Sequence, residues 1–369
     1  MNLENENFCA VALTRLPGLT QAQALQAIRH YGTARAAFAD RGKENEKFAA
    51  AFADEPGLSD ALKCAEEQCA FAEEKNVQIL PISSPAYPVR LSGCTDAPAV
   101  LYYRGTANLN SRHIIAVVGT RKITDYGKYI CRHLGEDLGR LLPDCIVVSG
   151  LAYGVDVHIH RAAMENGLET VGVMATGLDR VYPAPHVNEA RQMSSQGGLL
   201  TEYITGTRVD KGNFVRRNRI VAGMASATVV VESASHGGAL ITARLAQSYG
   251  RDLMAFPGRV ADNYSVGCNN LIRYSGAHLV TSARDILAQL GWEAERTARK
   301  KVPQLFPDSA FSPDAQAIVE ALRGTDGLTQ NRIIELTGLD SQLVASTLSM
   351  LVIEGTVCPL QSANAYALA

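Results

Sequence analysis

Between Lys211 and Arg219 the chain reads Lys-Gly-Asn-Phe-Val-Arg-Arg-Asn-Arg, with four cations, one aromatic ring and no acid. Cations neutralise phosphates and an aromatic ring stacks an unpaired base, so this is the composition of a groove for single-stranded nucleic acid. A solvated helix face is the other reading of the same residues. Neighbouring helix positions diverge by about 100°, so Arg216, Arg217 and Arg219 cannot all face one groove. At least one of them is expected to make a structural ion pair, and Arg219 with Glu232 or with Asp156 are the two pairings left open.

Three glycine-rich segments could join the basic run in one site. Val117-Val118 runs into Gly119-Thr120-Arg121-Lys122, where a tight turn and the next helix start can hold an anion beside Arg121. Ser149-Gly150-Leu151-Ala152-Tyr153-Gly154-Val155-Asp156 is a second such loop, with Asp156 as a candidate helix cap. Ser235-His236-Gly237-Gly238 is the third, with Thr242 offering a hydroxyl one turn into the following helix. None of these is a dinucleotide fingerprint or a P-loop. His158 and His160 lie two apart and share no helix face, so His160 reads as a hydrogen-bonded packing residue rather than a metal ligand.

Charge places that site in the middle of the chain. The 369 residues carry a net charge of −2, but residues 1–80 carry −4, residues 81–302 carry +7 and residues 303–369 carry −5. A polyanion is attracted by the middle segment and repelled by both ends. A hydrophobic fraction of 47% with 20% charged residues fits globular domains. No apolar run reaches the roughly 18 residues that span a bilayer, and the acidic start Met1–Glu6 lacks the basic region of a secretory signal. Eight scattered cysteines, with no Cys-x-x-Cys pair, predict reduced thiols in a cytoplasmic protein and no structural metal.

The elements needed to hold the site follow from periodicity. Residues 1–80 are Ala-rich and read as a small helical domain of helix-hairpin-helix type, with Leu16-Pro17-Gly18-Leu19 as its turn. Pro81, Pro85, Pro88 and Pro98 mark what reads as a connector. Continuous apolar runs then alternate with helical stretches. The candidate strands are 114–118, 146–149, 170–174, 199–202, 228–231, 253–256 and 278–280. Such runs are parallel strands buried on both faces, and the fold class is α/β, with an extended Rossmann-like, doubly wound, mostly parallel sheet across residues 81–292. Residues 293–312 read as a linker, and 313–369 as a C-terminal winged-helix domain.

These motifs in this order resemble the DNA-processing protein A (DprA/Smf) family over nearly the whole chain. The resemblance is carried by Val117–Arg121, Ser149-Gly150-Leu151-Ala152 with Gly154, Asp156 and His160, and Tyr182-Pro183. It continues through Phe214 with Arg216–Gly223, Val230-Val231-Glu232, Gly237–Arg244, Phe256-Pro257-Gly258, and Gly267, Asn269, Leu271-Ile272 and Gly276-Ala277. It implies a homodimer that binds single-stranded DNA without sequence preference, protects incoming DNA and loads RecA during natural transformation, with no cofactor and no catalysis. Carried onto this chain, the strand-binding residues would be Gly119, Thr120, Arg121, Lys122, Lys211, Phe214, Arg216, Asn218, Gly237, Gly238 and Thr242. Asn269, Ile272 and Leu279 would lie at the dimer interface. The chain departs from the family pattern at Val215, where proline is usual, and at His236 and Ile159.

Two rival functions bear on the same residues. A nucleoside-monophosphate phosphoribohydrolase-like enzyme shares the Rossmann-type core, but its catalytic glutamate would fall near Arg244, which supplies no general acid or base. A transcription-factor role would need cations on the winged-helix recognition helix, and residues 341–353 contain no Lys or Arg.

Overall fold

The computed structural model describes residues 3–41, 43, 46–292, 312–323, 325, 327–354, 356–360 and 365–368. They fall into two compact units, residues 1–293 and 294–369. The first unit opens with five helices: α1 (Glu6–Leu13), α2 (Gln21–Tyr31), α3 (Ala34–Asp40), α4 (Glu46–Ala53) and α5 (Glu55–Glu74). Asn5 caps α1, Thr33 caps α3, and Thr20 with Gln23 forms a reciprocal capping box on α2. Small buried residues such as Ala10, Ala24, Ala27 and Ala65 let these helices approach closely.

A nine-stranded sheet follows. Its elements run β1 (Gln78–Pro81), α6 (Val89–Ser92), β2 (Val100–Gly105), β3 (Ile114–Val118), α7 (Asp125–Leu141) and β4 (Ile146–Ser149). Next come α8 (Val155–Glu165), β5 (Thr170–Val173), α9 (Val187–Met193), β6 (Gly197–Thr201) and α10 (Lys211–Met224). The unit closes with β7 (Ala227–Val230), α11 (Gly238–Ser248), β8 (Asp252–Ala255), α12 (Val266–Tyr274), β9 (His278–Leu279) and α13 (Ala283–Gln289). The strands expected from the apolar runs are therefore present as β3 to β9, with ends shifted by two residues at most. The proline-rich stretch read as a connector instead supplies α6 and β2. β1 pairs antiparallel with β2 and β2 antiparallel with β6, which extends the parallel sheet by two strands.

Strand order is β1-β2-β6-β5-β4-β3-β7-β8-β9. The chain winds outward from β3 through β4 and β5 to β6, then returns to the other side of β3 with β7, β8 and β9. The β3/β7 junction is thus the topological switch point, where an open α/β sheet leaves a crevice beyond its strand ends. Alternate side chains feed opposite layers. Ile115 and Val117 pack with Ile130, Leu134 and Ile159 of α7 and α8, while Ile114, Ala116 and Val118 pack with Ile220, Val221 and Ala243 of α10 and α11.

The N-terminal helices share a core with the sheet through Leu151, Met174, Met193 and Leu199. Polar ties reinforce that packing. Arg29 donates to the carbonyls of Ser92 and Cys94 at 2.8 and 2.9 Å, and Gln68 donates to the Thr205 hydroxyl at 2.7 Å. The second unit contains α14 (Pro313–Leu322), β10 (Leu328–Thr329), α15 (Gln330–Thr337), α16 (Ser341–Ile353), β11 (Val357–Leu360) and β12 (Ala365–Leu368). Three helices and a sheet of order β10-β12-β11 make the winged-helix arrangement. The linker expected at 293–312 lies outside the described residues except for Ser312. Among the described residues no single helix is long and apolar enough to cross a membrane.

Arg219 departs from both expected pairings. Its guanidinium donates to Glu202 at 2.6 Å, with both side chains nearly buried. Glu232 is occupied by Thr124 and Asp156 faces Arg217, so neither is available to it. Burial raises the Glu202 carboxyl above its usual range, and Arg219 opposes that rise. Arg219→Met is therefore expected to cost about 3–5 kcal/mol near neutral pH by leaving a buried charge unpaired. A carboxyl with a raised folded pKa favours folding below its unfolded value and loses that contribution as pH rises through the folded value. The deficit should then shrink as pH falls toward about 4.5; urea titrations across that range would show it, and a pH-independent deficit would contradict it.

Candidate nucleic-acid interface

The crevice at the switch point is built from three loop ends and one helix. β3 ends in Gly119-Thr120-Arg121, and this turn is tied to the β7 end. Thr120 N–H donates to the Glu232 carbonyl at 2.8 Å, and Thr124 donates to the Glu232 carboxylate from its N–H at 2.9 Å and its hydroxyl at 2.5 Å. Gly154 fixes the β4 loop against it, at φ +79°, where an added Cβ would strike the Thr120 carbonyl. The β7 loop ends in Gly237-Gly238. Gly237 caps α11 with no side-chain acceptor, so the first N–H groups of α11 face the crevice without a local partner from the cap residue.

α10 closes the crevice, and its register sorts the basic run. Asp210 caps the helix by accepting from Gly212 N–H at 2.7 Å. Lys211, Phe214, Arg217, Asn218 and Val221 then share one face by i, i+3, i+4 spacing and line a cavity of about 960 Å³. Gly119, Thr120, Arg121, Gly237, Gly238 and Thr242 line the same cavity. Its aromatic floor is specific: the Arg121 guanidinium lies 5.3 Å from the Phe214 ring centroid, and the Tyr182 ring lies 5.3 Å from Phe214 at 57°. Tyr182 is exposed, and Arg244 adds a further cation to the wall.

Not every expected strand-binding residue is in place. Lys122 is exposed beyond the Thr120 turn and Arg216 points out of this cavity. Thr242 is buried, and its hydroxyl is already donated to the Gly238 carbonyl at 3.2 Å, so it offers no donor proton to a ligand. Asn218 reaches the same carbonyl at 3.4 Å and braces the loop. The β4 loop is not an anion site as expected: Asp156 faces the cavity, and the Val155 N–H is given to the Thr120 carbonyl at 3.1 Å. Asp156 does not cap the helix N-terminus forward but accepts from Ala152 N–H at 3.3 Å.

Beneath the floor sits a charge that solvent does not reach. Arg217 donates to the carbonyls of Gly150 and Val173 and is paired electrostatically with buried Asp156. Burial pushes the Asp156 carboxyl up, and Arg217 with the Ala152 N–H holds it down. His160 is likewise buried, and its Nδ1 lies 2.7 Å from the Thr170 hydroxyl. That hydroxyl donates to the Val147 carbonyl, so it accepts from Nδ1–H. Burial pushes His160 down to about 3, which keeps it neutral. Asn269, Ile272 and Leu279 lie apart from the cavity, on α12 and the edge strand β9. The Asn269 amide clasps the Gly258 backbone at 3.0 and 3.2 Å, Ile272 is half-buried and Leu279 is 54% exposed.

Reading the sequence did not single out Tyr182 or Arg244 as cavity residues. Tyr182 enters the sequence reading only beside Pro183, and Arg244 as the end of the Gly237–Arg244 motif and as a place where a carboxylate is lacking.

The sequence model of DNA recombination-mediator protein A matches residues 78–291. The chain belongs to that family. The putative DNA processing protein DprA of Mycobacterium tuberculosis is 38% identical over 268 residues, 72% of this chain and 68% of that protein. The Smf protein of Escherichia coli is 33% identical over 262 residues, 71% of this chain and 68% of that protein. Among solved structures, DNA processing protein A of Streptococcus pneumoniae superposes with a TM-score of 0.66 at 30% identity, covering 77% of this chain and 97% of that one. The Helicobacter pylori protein superposes with a TM-score of 0.52 at 27% identity, covering 58% of this chain and 95% of that one; its structure was described for its single-stranded DNA binding mode.

The geometry separates a buried arginine from an exposed one. Arg217→Ala leaves Asp156 buried and unpaired and is expected to lower unfolding free energy by about 3 kcal/mol or more. Arg121→Ala is exposed and should change it by less than about 0.5 kcal/mol. Chemical denaturation of the two variants side by side tests this, and equal losses would refute the division.

Proposed function

We propose that the cavity binds single-stranded DNA irrespective of sequence, in a protein that protects incoming strands and loads RecA onto them during natural transformation. The observation carrying this reading is the contact of Arg121 with the Phe214 ring on the floor of a cationic cavity that includes the α11 N-terminus. A base buried in a duplex cannot offer its face to Phe214, whereas an unpaired base can, worth roughly 1–3 kcal/mol. Lys211 and Arg121 flank that ring to neutralise phosphates, and the α11 N–H groups suit a phosphate oxygen. No base edge is read by these contacts, which supports indifference to sequence. The Helicobacter pylori relative's described binding of single-stranded DNA supports the same reading.

We read the site as one of binding rather than catalysis. Arg244 occupies the wall where the phosphoribohydrolase class carries its acid, and the Asp156 carboxylate is committed to Arg217 and the Ala152 N–H. Self-association fits the free edge of the sheet: β9 is the terminal strand, both its residues are exposed, and Tyr274 beside it is 69% exposed. A cytoplasmic location follows from that role.

Anisotropy titrations at several salt concentrations test the DNA reading. Single strands should bind more tightly than duplex, and Arg121→Ala or Lys211→Ala should each weaken binding and reduce the salt slope by about one unit. Equal affinity for duplex, or binding indifferent to salt, would refute it. For self-association, Ile272→Arg should elute as a monomer from a sizing column on which the parent elutes as a dimer; unchanged elution would remove Ile272 from the interface.

A further inference from the structure

A second groove adjoins the cavity. It is an apolar cleft of about 400 Å³ between α2 and the α10–α11 pair. Val215 and Ile241 line both spaces, so one wall of the first is the near wall of the second. The far wall is the first turn of α2, where Ala22 is exposed, and this helix is held in place by the Arg29 contacts to the carbonyls of Ser92 and Cys94.

We propose that the DNA strand continues from the Phe214 cavity over Val215 into this groove, so that the N-terminal helices form one side of the DNA track. The proposal rests on the single-strand reading of the first cavity. Three features favour a strand over another occupant. The groove is continuous with that cavity through two shared residues. Its aliphatic surfaces suit the face of a base or a sugar, and its exposed cation, Arg216, suits the phosphate between the two nucleotides. Of the other charges lining it, Arg219 is paired with Glu202 at 2.6 Å, and exposed Asp96 accepts from the Tyr249 hydroxyl at 2.7 Å, which leaves its negative charge in place. Helix periodicity produces the arrangement. Phe214 and Arg217 lie on one side of α10, and Val215, Arg216 and Arg219 on the next. Val215 is 49% exposed on the ridge, where it gives the strand an apolar step.

The test uses the full chain and oligothymidylates of about 4 and about 20 nucleotides, lengths that span the usual range of compact single-strand sites. Ala22→Glu sets a carboxylate against the track, and Arg216→Ala removes its phosphate partner. Each should weaken the long oligomer about tenfold and leave the short one within about twofold, whereas Phe214→Ala should weaken both. Ala22→Gln, which adds bulk without charge, should lose less than Ala22→Glu. Unchanged long-strand affinity in both Ala22→Glu and Arg216→Ala, or equal losses on both lengths, would overturn the continuation while leaving the first cavity's reading intact. Failure of the parent protein to bind either oligomer would instead overturn that first reading.

Discussion

A guanidinium removed from water needs acceptors and a counter-charge, and the Arg217 site supplies them by joining four elements while leaving Nε without a partner among the described residues. Its donors reach the carbonyl of Gly150 after β4 and of Val173 at the end of β5, while Asp156 of α8 supplies the counter-charge. Gly150 has no side chain because a Cβ there would run into the Arg217 guanidinium. The anchor fixes the rotation of α10 about its own axis. Once Arg217 points down, Phe214 and Asn218 must face the crevice and Arg216 must face away. One buried residue thereby decides which members of the basic run face the cavity.

Glu232 does comparable work on the other side of the crevice. Its backbone carbonyl and its carboxylate together hold the Thr120–Thr124 segment, so Arg121 is presented at a set height above Phe214. Gly127 lies against that carboxylate with no room for a Cβ. The exposed cations of the site are therefore mounted on a frame whose own charged groups are buried, Arg217 against Asp156 and Glu232 on the Thr124 N–H and hydroxyl. That separation explains how a chain with a net charge of −2 overall concentrates positive field at one strand-end crevice.

Much of this was legible in the sequence because it depends on local signals. Parallel strands buried on both faces are continuous apolar runs, so β3 to β9 could be placed before any contact was known. Lys211, Phe214 and Arg121 were legible as candidates for one cavity, which all three line, because their cationic and aromatic chemistry sits in short motifs. The misses share another cause. β2 was hidden by the prolines around it, Glu202 meets Arg219 only because β6 and α10 are folded together, and Tyr182 reaches Phe214 across a loop. Thr242 lines the cavity, but a hydroxyl one turn into a helix competes for the carbonyl four residues back, and here that carbonyl takes its proton.

The division of α10 into two faces also bears on Val215, where the family resemblance leads one to expect proline. Position 215 is the fifth residue of α10, and its N–H falls within the helix, where proline would remove a donor and press on the preceding turn. Valine keeps the helix continuous from Lys211 through Arg219, so the lysine, the ring and the buried arginine share one rigid register. A proline kink at 215 would uncouple Lys211 and Phe214 from the Arg217 anchor. In this chain the presentation of Phe214 thus derives from helix continuity and from the clasp of Tyr182 and Arg121, and the side chain of Val215 is left facing outward as the ridge between the two grooves.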